Sequence, residues 1–131
     1  MQNLNQIRAR HVMELVKAHP DGTFGGVNGG EVVKKIPPRI MNNGLLAALA
    51  YSLDEKNKGW KNVFDGIAQH LSSKEIMVVD RSVYDTRGLL SYLVKQNTSS
   101  IKLREATAET MAWLDFARRL IVNKNGEEDG E

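Results

Sequence analysis

The stretch WKNVFDGIAQHL, Trp60 to Leu71, decides the fold class. Trp60, Val63, Phe64, Ile67, Ala68 and Leu71 recur at i, i+3, i+4 and i+7. That period of 3.6 places them on one face of an amphipathic helix. Toward the C-terminus, Ile76 to Val79 is β-like for four residues, but no second strand stands ready to pair with it, and an isolated strand is unstable. An extended connector or a turn of helix is expected there. Ser82 with Asp85 reads as a capping box for a helix to about Lys95 that carries Val83, Leu89, Leu90, Leu93 and Val94. Asn97 to Ser100 interrupts it, and a final helix is predicted from about Ile101 to Val122.

Toward the N-terminus, Leu45, Leu46, Ala48, Leu49 and Leu53 supply the apolar side of a helix predicted from about Pro38 to Leu53. Pro37 and Pro38 suit a helix start and reject a helix interior, so Glu31 to Ile36 reads as a separate turn or two. Asn42, Asn43 and Gly44 are poor helix formers, the glycine alone costing about 1 kcal/mol, and Gly44 reads as a place where another helix approaches closely. PDGTFGGVNGG, Pro20 to Gly30, holds five glycines without periodicity and reads as a mobile loop. Before it, Asn3 and Gln6 form a capping box for a first helix, Leu4 to Ala18, with Leu4, Ile7, Val12, Leu15 and Val16 as its stripe and Pro20 beyond its end. Four apolar stripes have period 3.6 and none has a sustained period of 2. The expected fold is therefore all-α, a single compact bundle of five or six helices over residues 1–125, with 126–131 as a disordered acidic tail.

Composition narrows the function classes. At 131 residues one core suffices, burying roughly 68% of the unfolded surface. The absence of cysteine removes disulfide frameworks, thiolate zinc sites and cysteine nucleophiles, which fits a reducing cytoplasm. No apolar run reaches the roughly 20 residues of a membrane span, and MQNLNQIRAR has no signal-peptide apolar core, so an unexported protein with no membrane partner is expected. The formal charge is +2, but Glu127, Glu128, Asp129 and Glu131 lie in the last six residues. Eighteen basic against twelve acidic residues leave +6 on residues 1–125, the footprint of a phosphate-bearing partner and equally of many soluble domains.

No constellation completes a catalytic set. His11 and Glu14 share the i, i+3 geometry of di-iron bundles, which need that pair twice plus two more carboxylates. Neither His19 nor His70 has a Glu three residues away, and His11 reads as a partly buried, hydrogen-bonded edge residue. Gly25 and Gly30 are followed by Glu31 where a phosphate loop needs Lys, and no nucleophile elbow is present. No enzyme activity, cofactor or metal is expected. The basic residues remain: Arg8, Arg10 and Lys17 on the first helix, Lys34, Lys35 and Arg39 around the double proline, and Arg104, Arg118 and Arg119 on the last helix. Solvated faces are the usual fate of such residues. Arg104 could instead pair with Glu109 inside the fold. Trp60, Phe64, Trp113 and Phe116 fall at core spacings, so no aromatic stacking platform is evident and contact with phosphates is favoured over reading of bases.

Two phrases, IPPRIMNNGLLAALAYSL from Ile36 to Leu53 and REATAETMAWLDFARRL from Arg104 to Leu120, together with Gln6 to Ala9 at the start, stand in a telling order. Pro37 to Leu45 matches a Pro-x-x-Ile-x-x-Asn-Gly-Leu phrase. Arg104, Ala106, Thr107, Glu109, Trp113, Phe116, Arg118 and Arg119 match a closing helix with aromatics and a basic end. In these the chain resembles the small all-helical subunit of the Cmr-type (type III-B) CRISPR RNA-guided effector complex. The glycine loop departs from that family's shorter or more helical connection. The resemblance implies a non-catalytic, cytoplasmic subunit for antiviral defence that stacks with further copies of itself beside other effector subunits. It would hold target RNA along the guide by backbone contacts through the nine basic residues just named. A helical DNA-binding transcriptional regulator is the alternative, but it needs a short-turn helix pair that the glycine loop and double proline interrupt.

Overall fold

Asn3 opens the first helix as the sequence requires. Its side chain accepts from the Gln6 amide at 2.9 Å while Gln6 Oε1 accepts from the Asn3 amide at 2.8 Å, satisfying two end donors. The computed structural model describes residues 3–19, 31–95 and 97–129, with side chains for 3–19, 32–95 and 97–121. The helices are α1 (Leu4–Ala18), α2 (Glu31–Asn43), α3 (Leu45–Ser52), α4 (Lys58–Ser72), α5 (Thr86–Leu93) and α6 (Ser100–Asp129), with a 3-10 turn at Glu55–Asn57. Among the described residues there is no strand, and the six helices form an all-α bundle. No helix among them is long and apolar enough to cross a membrane. The stretch read as a mobile glycine loop, 20–30, lies outside the described residues.

The centre of the bundle is α4, which touches all five other helices. Val63, Phe64, Ile67, Ala68 and Leu71 are fully buried on it, against Trp113, Leu114 and Ala117 of α6, Ile36 of α2, Ala48 and Leu49 of α3, and Leu89 of α5. Each large apolar side chain so buried contributes about 1.5–3 kcal/mol, so the stripe that announced the helix also supplies most of its reason to fold. Close packing of α1 on α4 occurs at Gly66, where an added Cβ would stand 2.8 Å from Leu15 Cδ2.

Four local expectations are corrected. The double proline does not start a helix; Pro37 and Pro38 lie inside α2. Each costs about 3 kcal/mol there, but Val32, Val33, Ile36 and Ile40 bury on α2's inner face, and together their burial outweighs that cost. The helix ends instead at Gly44, whose φ of 91° and ψ of 162° lie in a region essentially reserved for glycine. A Cβ on Gly44 would meet nothing within 4 Å, so its role is backbone conformation, and the close approach belongs to Gly66. On α5 the cap is Asp85, accepting from the Gly88 amide at 2.8 Å, while Ser82 turns back to Asp80. A tertiary tie fixes that start, because the Thr86 amide donates to Asp65 Oδ1 at 2.8 Å and its hydroxyl to the same oxygen at 2.6 Å. Finally, α6 runs past Val122 to Asp129. One glycine, Gly126, is too small a penalty to end a helix already propagating. Ile76 to Val79 is a connector as expected, with the Val78 and Val79 amides donating to the Leu71 carbonyl at 2.9 and 3.2 Å.

Candidate nucleic-acid interface

The nine basic candidates divide by their partners. On α1, Arg8 turns inward: Nε donates to Glu109 Oε2 at 2.8 Å and Nη2 to Glu109 Oε1 at 2.7 Å, a bidentate clamp between α1 and α6. Arg104 does not take this place. Five residues apart on one helix, Arg104 and Glu109 point to different faces, and Arg104 is exposed with no ion pair among the described residues. Burial alone would raise the Glu109 pKa, but hydrogen bonds from Arg8 and then His70 overcome it and hold the carboxyl at about 2. His70 Nε2 donates to Glu109 Oε2 at 2.8 Å, and burial lowers its own pKa, so it is neutral with Nδ1 as acceptor. His11 Nδ1, 2.7 Å away, is therefore the donor to His70 Nδ1, while His11 Nε2 lies 3.2 Å from Glu75. Arg10 also pairs with Glu75. The result is a continuous polar chain from the surface to the centre of the bundle. Glu14 plays no part in ligating with His11; it is exposed and 3.8 Å from Arg10. Among the described residues no group of three His, Asp or Glu side chains could hold a metal.

On α2 the geometry is opposite. With Val32, Val33, Ile36 and Ile40 facing the core, the 3.6 period turns Lys34, Lys35 and Arg39 outward. Pro38 and Asn42 form a ridge between two grooves. On one side Lys34 and Arg118 share a groove with Met41, Met111 and Asp115; on the other, Lys35 and Arg39 share a groove with Tyr51, Lys56 and Trp60. The Arg39 guanidinium carbon lies 3.9 Å from the centre of the Tyr51 ring and 5.5 Å from that of Trp60. Tyr51 in turn meets Trp60 edge-on at 4.8 Å. Arg118 and Arg119 both lean toward Asp115, at 3.7 and 3.6 Å, in exposed pairs of little strength. Lys17 is exposed in the last turn of α1.

The structure thus gathers Lys34, Lys35, Arg39 and Arg118 on one region, diverts Arg8 and Arg10 into ion pairs, and adds Lys56, which the sequence reading missed. The only signal for Lys56 was its place in a short turn directly before the Trp60 helix. No curated protein and no solved structure matches the chain. The model of one protein family, described as CRISPR-associated protein (Cas_Cmr5), matches residues 4–123, from the capped start of α1 to just past Ile121, the last described side chain, and the chain therefore belongs to this small-subunit family of the Cmr-type (type III-B) CRISPR effector.

Proposed function

We propose that the chain is a non-catalytic, cytoplasmic subunit of the Cmr ribonucleoprotein, stacking with copies of itself beside the other effector subunits and holding target RNA along the guide. The observation that carries the reading is the family match over residues 4–123. The basic surface of α2 supports it: Lys35 and Arg39 in one groove, and Lys34 and Arg118 in the other, would grip phosphates irrespective of sequence, while guide–target pairing supplies specificity. Arg8 falls outside this surface because its charge is neutralised by Glu109. The remaining candidates, Arg10, Lys17, Arg104 and Arg119, would contribute at most long-range attraction. Membership of this family also displaces the DNA-binding regulator reading.

The test is charge reversal in a reconstituted effector. Replacing Lys34, Lys35 and Arg39 together by Glu should leave assembly intact and weaken target RNA binding. In wild type, log affinity should fall against log salt with a slope of about −0.7 per phosphate contacted, and the variant's slope should be shallower. Unchanged target affinity would refute the RNA surface, and loss of assembly would reassign α2 to subunit contact.

A further inference from the structure

Asn43 and Gly44 form an Asn–Gly pair where α2 ends. Having no Cβ, a glycine leaves its amide nitrogen unhindered as a nucleophile toward the side chain of the asparagine before it. Asn43 is exposed and lines the groove that also holds Lys35 and Arg39. A Cβ on Gly44 would meet nothing within 4 Å, so a ring has room to form there. Two features of the fold oppose that reaction. The Gly44 amide donates to the Ile40 carbonyl at 2.7 Å, which withholds the nitrogen. Asn43 is the last residue of α2, and ring closure needs its Cβ and the Gly44 nitrogen nearly eclipsed about the Cα–C bond, which a helical ψ of about −42° does not give.

We propose that Asn43 is a deamidation site latched by the last turn of α2, and that its conversion puts a carboxylate into the groove of Lys35 and Arg39. When that turn opens, hydroxide takes the Gly44 amide proton and the nitrogen attacks Asn43 Cγ. The Cγ–Nδ2 bond breaks, ammonia leaves with a proton from water, which restores the hydroxide, and a five-membered succinimide remains. Water then adds to either ring carbonyl and reopens it as an aspartyl or isoaspartyl residue. One water is consumed, one ammonia is released, and nothing is oxidised or reduced. Helix ends open at a far lower free energy than the bundle core, so the latch answers to local fraying and not to global unfolding. The new charge would repel phosphate at the surface proposed above for RNA, and that consequence alone rests on the RNA-holding reading.

The experiment incubates the full chain at mildly alkaline pH in buffer, in urea below its unfolding transition and in urea above it, and follows Asn43 conversion by peptide mass spectrometry. Native chain should convert about tenfold or more slowly than unfolded chain, by the same factor that protects the Gly44 amide from hydrogen exchange. Below the transition the rate should change little with urea, because fraying one turn exposes little surface. Native conversion as fast as unfolded would overturn the latch, and a rate that tracks the unfolded fraction would overturn its local origin. For the consequence, Asn43→Asp should weaken binding to a single-stranded oligoadenylate about fivefold, as expected of one carboxylate beside one phosphate in water, while Asn43→Ser leaves it unchanged. Wild-type affinity in Asn43→Asp, or an equal loss in Asn43→Ser, would overturn the charge effect. If wild type binds no RNA, the charge effect falls together with the RNA-holding function, while the mass spectra still decide the modification site.

Discussion

Arg8 and Arg39 are the same residue type on outward-reading stretches of sequence, yet the fold uses them in opposite ways. At the junction of α1, α4 and α6, Arg8 meets a carboxylate that is 10% exposed, to which His70 also donates, and His11 carries the polar network on toward Glu75. Between α2 and α3, Arg39 meets an aromatic ring and two other cations. A charge neutralised in a partly buried network holds helices together; a charge resting on an aromatic ring in a concave surface remains available to a partner. The difference teaches that basic composition measures neither role until the partners are known.

The sharpest way to break this comparison is to truncate each arginine. Arg8→Ala should destabilise the protein by about 3–5 kcal/mol in urea unfolding, because it strands the Glu109 carboxylate. Arg39→Ala should cost no more than about 1 kcal/mol, the worth of an exposed cation–π contact. Comparable losses at the two positions would erase the distinction.

Acid should attack only the first region. Glu109 has its pKa depressed to about 2 from an ordinary 4.5, so its contribution is fully present above about pH 4.5 and is lost as pH falls toward 2. At about 1.4 kcal/mol per tenfold change in protonation, that contribution is on the order of 3 kcal/mol. His70, lowered by burial, adds a loss of the same sign that begins below its ordinary 6.5. Thermal melts across this range should show the decline, and Glu109→Gln should flatten its lower part. A Glu109→Gln profile identical to wild type would show that the network does not govern acid sensitivity.

Gly44 joins α2 to α3 and so sets the groove. Gly44→Ala should cost about 1–3 kcal/mol although the space around it is empty, since the strain lies in the backbone. A neutral result would mean that the junction relaxes. The smallest stability effect is expected from Lys34→Glu with Lys35→Glu, within about 0.5 kcal/mol on exposed positions. A larger loss would place these lysines among the structural charges.

The bundle itself was legible in the sequence. α1 carries its own capping box and α4 its own stripe, because helix periodicity and caps depend on residues three or four apart. The family resemblance, carried by phrases in α2, α3 and α6, was legible for the same reason of local order. Where local propensity competed with burial, the reading failed. Pro37 and Pro38 lie inside α2 because its inner face buries four aliphatic side chains, and that burial exists only once the helices have packed. The partners of the charges were beyond reach for a simpler reason. Arg8 and Glu109 lie 101 residues apart, and Lys56 joins Arg39 across a groove that exists only once α2, α3 and α4 have packed. A sequence counts charges, but an ion pair or a cationic groove is a relation in space, and Coulomb interaction depends on distance and burial that the bundle alone sets.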